Sequence, residues 1–119
     1  MARTAVAYSA LLPNSSLADP AGTSIASGVG NGGQIAKALP ELTVLRAVFT
    51  TAGNVTVKAG VMPPALAAGQ GDLTVAVGTN GVQWLGPFES GRFLQNDGSL
   101  IVETTQTVTL TAFSVPRNT

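Results

Sequence analysis

The sequence predicts an all-β fold, a small antiparallel β-sandwich or barrel with an extended N-terminal arm. Three observations support this fold class. Apolar and polar residues alternate with a period of two after residue 40, β-branched Thr and Val dominate the alternating segments, and Gly-containing turns separate them. No window sustains a helical period. A chain of 119 residues is long enough for one domain with its own core.

The segment before residue 40 differs in composition from the remainder of the chain. It is rich in Ala, Ser, Gly, Pro and Asn, and the glycine run over 27–33 looks the most flexible part. We expect residues 1–40 to form an extended arm or irregular segment and residues 41–119 to form the β domain. Deletion of residues 1–33 should then leave a folded domain. The residues that could anchor the start of the arm on a sheet are Val6, Tyr8, Leu11 and Leu12.

Alternation defines the strands of the β domain. Residues 42–50 are apolar on both faces apart from Arg46, which predicts a central strand covered on both sides. In the last strand, Val108, Leu110 and Ala112 share one face and threonines occupy the other. Shorter alternating segments lie at 55–61, 73–77, 82–85 and 99–103.

Turn signals separate these strands. Gly and Asn occur at 51–54 and 79–81, and Asn-Asp-Gly occupies 96–98. Such residues supply the positive φ angles of tight hairpins, so we expect a hairpin at each position. The Gly-Pro pair at 86–87 interrupts the chain after a strand and predicts a crossover from one sheet to the other.

The single arginine in the central strand and a cluster of aromatic residues each have two interpretations. Arg46 either pairs with a carboxylate, for which Glu89 and Glu103 are candidates, or forms a salt bridge between subunits. The aromatic side chains either pack in the core or anchor an exposed interface. These aromatic residues are Trp84, Phe88 and Phe93.

Composition argues against catalysis and against most ligands. The chain has no His and no Cys, the usual general base and the usual metal or nucleophilic groups. Its carboxylates have no spacing that selects a catalytic pair, so we expect no enzyme, cofactor, metal or small-molecule substrate. Scattered basic residues argue against nucleic acid, no apolar run is long enough for a membrane span, and the N-terminus lacks a signal-peptide core.

A low charge content points to a surface that contacts other proteins. Six basic and six acidic residues balance, and charged residues make up 10% of the chain. An ordinary soluble domain has about 25%. The surface is therefore either meant to be covered by partners or is a neutral, Thr-rich sheet face.

Eight short segments between residues 40 and 117 form a recognisable pattern. They are Val55–Gly60, Pro63–Ala65, Gly69–Leu73, Trp84–Ser90, Arg92–Gln95, Asp97–Leu100, Thr111–Phe113 and Pro116–Arg117. With these segments, the chain over about residues 40–117 resembles a family of small proteins encoded in phages and prophages of actinobacteria, commonly near head genes.

This resemblance implies a non-enzymatic virion structural protein, in the first place a capsid decoration protein. Such proteins bind the major capsid protein on the capsid exterior, frequently as homotrimers, after synthesis in the host cytoplasm. The alternatives are another virion component, such as a head–tail connector, tail or fibre module, and a non-viral carbohydrate-binding β-sandwich. Our candidate partner-interface residues are Tyr8, Leu11, Leu12, Trp84, Phe88 and Arg92.

Overall fold

A computed structural model describes residues 3–11, 16–28, 30–36, 38–60, 71–88, 90–95 and 97–115. Strands account for most of the regular structure. A 3-10 turn, Pro40–Leu42, and one helical turn, Ser90–Phe93, lie between them. The strands are β1 (Thr4–Ala5), β2 (Tyr8–Ala10), β3 (Thr23–Ile25), β4 (Gly33–Ile35), β5 (Thr43–Val48), β6 (Gly53–Val57), β7 (Leu73–Val77), β8 (Val82–Leu85), β9 (Leu100–Thr104) and β10 (Val108–Ser114).

The strands form two five-stranded sheets that pack as a sandwich. Sheet A has the order β1-β4-β9-β6-β7. Sheet B has the order β2-β10-β5-β8, and β3 also pairs with β10. The predicted sandwich is thus confirmed and the barrel alternative is not. Both sheets are mixed rather than purely antiparallel, because β1 runs parallel to β4 and β2 runs parallel to β10.

The core lies between the sheets and follows the predicted alternation. Val55 and Val57 of β6 face inward, and the apolar face of β10 is buried as expected. Burial of these side chains supplies the main stabilisation of the sandwich, at roughly 25 cal/mol per Å² of apolar surface removed from water. Fully buried aliphatic residues from both sheets are Ile25, Ile35, Leu45, Val57, Leu100, Val102 and Leu110.

The described part of the N-terminal segment does not form a separate arm. It contributes β1 to β4, which extend both sheets, and it buries Val6, Ile25 and Ile35 in the core. The physical reason is that its short apolar stretches fit the open sides of strands β9 and β10. The glycines around them permit close approach: a Cβ on Gly32, where φ is +93°, would lie 2.1 Å from the Val102 carbonyl oxygen.

The predicted hairpins are wrong, because the turns connect the two sheets. The turn at 51–54 leads from β5 in sheet B to β6 in sheet A, and the turn at 79–81 leads from β7 in sheet A to β8 in sheet B. The third hairpin, at 96–98, requires a strand at 92–95, but the chain forms the helical turn Ser90–Phe93 there instead. Gly and Asn supply positive φ at a sandwich corner as readily as in a hairpin. The crossover at 86–87 is confirmed, since β8 and β9 belong to different sheets.

Candidate functional site

The outer face of sheet B carries an exposed apolar cluster. Trp84 of β8 lies directly opposite Arg46 of β5, and Val82 lies opposite Val48. Directly paired residues project to the same side of a sheet, so these side chains share the outer face. Trp84 is 56% exposed and Val82 is 51% exposed. We call this surface the Trp84 face and define it by Val44, Arg46, Val48, Val82, Trp84 and Phe113. Val82 and Trp84 are its exposed members, and Phe113 is buried beneath the indole.

An aromatic stack fixes the centre of the Trp84 face. The rings of Trp84 and Phe113 are stacked, with centroids 5.7 Å apart and an interplanar angle of 22°. The Arg46 guanidinium lies 5.9 Å from the centroid of the Trp84 ring, within the range of a cation–π interaction. The indole is therefore held in place although more than half of it is accessible to solvent.

Arg46 has a carboxylate partner that the sequence did not indicate. Its Nη1 lies 2.6 Å from Asp19 Oδ1, and its Nη2 donates to the Pro20 carbonyl oxygen at 3.3 Å. A pairing within the chain is thus present, but neither proposed carboxylate makes it. Glu89 lies outside the described residues, and Glu103 binds Arg3 at the outer side of sheet A.

The same N-terminal segment bounds the Trp84 face on one side. A Cβ on Gly22 would lie 2.7 Å from both Thr109 Cγ2 and Thr111 Oγ1, so the chain crosses β10 in close contact there. This crossing explains why Thr111 is buried although it points outward from the sheet. On the far side of this crossing, Trp84 and Val82 are exposed to solvent.

Two of the predicted interface residues hold the fold together. The Tyr8 hydroxyl lies 2.7 Å from Thr43 Oγ1 and accepts a hydrogen bond from the Leu39 N–H at 3.0 Å. Phe88 is buried and packs edge-to-face against Phe93, with ring centroids 5.4 Å apart. The core interpretation thus fits Phe88 and Phe93, whereas Trp84 lies on the surface.

The remaining predicted interface residues lie apart from the Trp84 face or at its margin. Arg92 donates from Nε to the Gly71 carbonyl oxygen at 3.1 Å and stacks over Phe93, which fixes the chain before β7. Leu11 follows β2, is partly exposed, and its N–H donates to the Ser114 carbonyl oxygen. Leu12 lies outside the described residues. The structure therefore does not gather the predicted set into one surface.

Sequence reasoning missed Phe113 and Val82, although a signal for both was present. Continuing the alternation of the threonine face of β10 by two residues places Phe113 on the outer face. The same period places Val82 on the face of Trp84. What the pattern does not reveal is the position of β5 between β8 and β10, which brings the two aromatic rings together.

A second polar cluster lies on the outer side of sheet A and centres on Glu103. Its Oε2 lies 2.8 Å from Arg3 Nη2 and accepts a hydrogen bond from the Gly30 N–H at 2.9 Å. Lys58 Nζ lies 3.9 Å from Glu103 Oε1 and 3.0 Å from Asp72 Oδ2. The cluster ties the N-terminal segment to β9, to Lys58 just after β6 and to Asp72 just before β7.

The surroundings of Glu103 lower the pKa of its carboxyl group. Burial on its own raises the pKa of Glu103, but the Gly30 N–H, Arg3 and Lys58 outweigh it and hold the pKa below its ordinary value. An open cleft of about 360 Å³ lies beside this group and is lined by residues that include Ser27, Thr56 and Thr105. Because positive groups already engage its oxygens, the geometry fits a structural ion cluster.

The described ranges contain no group of three or more His, Cys, Asp or Glu side chains placed to hold a metal ion. Within the same ranges, no helix has the length and apolar character needed to cross a membrane. The chain matches no protein-family model, and neither a curated protein nor a solved structure is significantly similar to it.

Proposed function

We propose that the chain is a non-enzymatic structural protein of a bacteriophage virion, a decoration protein that binds the major capsid protein through the Trp84 face. The observation that carries the proposal is the exposed indole of Trp84, held on the buried ring of Phe113, in a domain of very low charge. The resemblance to phage proteins encoded near head genes supports the viral setting. The capsid exterior is the proposed location.

The Trp84 face has the character of a protein-binding surface. Tryptophan is enriched among residues that dominate binding energy, and an aromatic side chain surrounded by apolar neighbours is the usual form of such an anchor. Trp84 is stacked on Phe113 before any partner arrives. Little side-chain freedom remains to be lost on binding, which favours affinity.

The distribution of charge also suits close contact with a neutral partner. No charged residue occurs between Asp72 and Glu89, a stretch that includes all of β7 and β8. The one charged residue in the definition of the Trp84 face, Arg46, is already paired with Asp19. Docking of this face therefore leaves no unpaired charge to desolvate, which is otherwise a large cost at interfaces. Repeated copies on a lattice turn a modest affinity for one site into lasting attachment. The homotrimer implied by the resemblance is one arrangement that presents several Trp84 faces together.

Cosedimentation with capsid shells prepared without this protein tests the proposal. Bound copies are counted against the major capsid protein by gel densitometry over a range of input concentrations. We expect saturation near one copy per capsid subunit, as a lattice-wide decoration protein requires. Absence of binding, or saturation at only about a dozen copies per particle as a single vertex requires, contradicts decoration.

A further inference from the structure

The open edge of sheet B lies beside the Trp84 face. Among the described strands of this sheet, β8 is the last in the order and pairs on one side only, with β5. Its sequence, Val-Gln-Trp-Leu, contains neither a charge nor a proline. Edge strands of monomeric proteins are commonly protected by such residues, by a bulge or by a covering segment. Strand β8 is short, but its sequence contains neither of the residue types that prevent an edge strand from pairing with another chain.

The register of β8 shows which backbone groups face this edge. The Phe49 N–H donates to the Gly81 carbonyl oxygen at 2.8 Å, in the same register as the β5–β8 pairing. Hydrogen-bonded and non-hydrogen-bonded pairs alternate along an antiparallel ladder. Gln83 therefore directs its backbone groups toward β5, and Val82 and Trp84 direct theirs toward the open edge.

We infer that β8 pairs with β8 of a second copy of this chain, antiparallel and about a two-fold axis at Gln83. The turns on either side of the strand select this register. An axis at Val82 instead would place Asn80, with φ of 56°, opposite Trp84 of the second copy. An axis at Trp84 would place Gly86, with φ of 106°, opposite Val82 of the second copy. These conformations do not continue a strand. Only the register centred on Gln83, the central register, forms both of its hydrogen-bonded pairs between strand residues.

The side chains that the central register places opposite each other are also compatible. Val82 lies opposite Trp84 of the partner subunit on the outer face, and each such pair exchanges both of its backbone hydrogen bonds. Gln83 lies opposite the partner's Gln83, where two amides can bond each other. Because the region from 73 to 88 has no charged residue, the two edges do not repel.

Pairing at β8 joins two Trp84 faces into one continuous surface. It thereby deepens the proposed function, because a doubled face offers a capsid two aromatic anchors. The pairing itself does not depend on a capsid. It is a contact between two copies in solution, so its failure and the failure of shell binding are observed separately.

A cysteine trap tests the pairing and its register directly. The chain has no Cys, so Gln83→Cys introduces a single thiol on the proposed axis. Opposed residues of a non-hydrogen-bonded pair have Cα atoms about 4.5 Å apart, within the range that a disulfide spans. We expect mild oxidation to convert Gln83→Cys to a covalent dimer. The matched control, Ala76→Cys on the exposed edge strand β7, should remain monomeric.

Sedimentation velocity over a concentration series provides the second test. We expect the wild-type chain, of 11.9 kDa, to shift toward twice that mass as concentration rises, and not toward the threefold mass of the homotrimer that the resemblance implies. Val82→Lys places a charge at the edge and should weaken dimerisation at least tenfold, whereas Ala76→Lys should not. Failure of Gln83→Cys to cross-link above the Ala76→Cys background, or an association unaffected by Val82→Lys, overturns the inference.

Discussion

The indole ring of Trp84 stacks on the Phe113 ring across the intervening strand β5, with centroids 5.7 Å apart. The two side chains come from β8 and β10, which are not neighbours in sheet B. Phe113 is buried, 7% exposed, whereas Trp84 is 56% exposed, so the stack places an exposed indole on a buried ring. Stability and partner binding should therefore respond differently to substitutions at this position and at buried aromatic residues.

Trp84→Ala should have a small effect on stability. Because Trp84 is more than half exposed, the substitution removes mainly the stack of its indole on Phe113. We expect the free energy of unfolding to fall by about 1 kcal/mol, the usual value of an aromatic pair. The matched substitution Phe88→Ala removes a buried ring and should cost about 3–5 kcal/mol. Denaturant unfolding monitored by circular dichroism measures both, and equal losses would contradict the placement of Trp84 on the surface.

The N-terminal segment should be essential to the fold. Ile25 of β3 is fully buried, so Ile25→Ala should lower the free energy of unfolding by about 2–5 kcal/mol. Leu17, from the same segment, is exposed, and Leu17→Ala should change the free energy of unfolding by less than about 0.5 kcal/mol. Chemical denaturation compares the two variants. Indistinguishable stabilities would show that this segment does not pack as described.

Glycine at position 32 should be required by close packing. A side chain there combines the positive φ with a contact to the Val102 carbonyl oxygen. We expect Gly32→Ala to cost more than about 2 kcal/mol. Gly78 has open space around its Cβ position, so Gly78→Ala should stay within about 0.5 kcal/mol of the wild type. Thermal unfolding of both variants checks this, and a stable Gly32→Ala variant would disprove the close approach.

Stability should depend on pH through Glu103. The pKa of this group is lowered in the folded state, so the unfolded state binds more protons near the ordinary value of 4.5. The contribution of Glu103 is present above that pH and is lost as pH falls through the folded pKa. Glu103→Gln should remove this contribution.

Unfolding free energies of the wild type and Glu103→Gln, measured between pH 7 and pH 3, test this prediction. The unfolding free energy of the wild type should exceed that of Glu103→Gln most at neutral pH, and the two free energies should converge in acid. A difference that stays constant over this range would show that the ionised carboxylate of Glu103 does not stabilise the fold.

Alternation predicted the strands well because it reports directly on which face of a strand is buried. The bounds of β7 and β8 and the inward face of β10 follow from it. The assignment of each strand to one sheet or the other depends on contacts between distant parts of the chain, and alternation does not report on those contacts. The Gly and Asn residues at 51–54 and 79–81 permit a reversal of the chain, but they do not determine whether the next strand joins the same sheet or the opposite one.

The N-terminal segment illustrates a second limit of sequence reasoning. Its glycines indicated flexibility, whereas Gly22 and Gly32 lie where the chain passes close against β10 and β9. The distinction depends on which strand the segment meets, and that contact is long-range. The same applies to Arg46, whose partner Asp19 is distant in the sequence and belongs to that segment.

Binding of Trp84→Ala to capsid shells tests the central claim most directly. The matched control is Leu39→Ala, since Leu39 is also a large exposed apolar residue, 54% exposed, but lies outside the Trp84 face. We predict that Trp84→Ala stays folded and loses shell binding, while Leu39→Ala binds as the wild type does. Shell binding by Trp84→Ala at the wild-type level would contradict the assignment of this face as the capsid-binding surface.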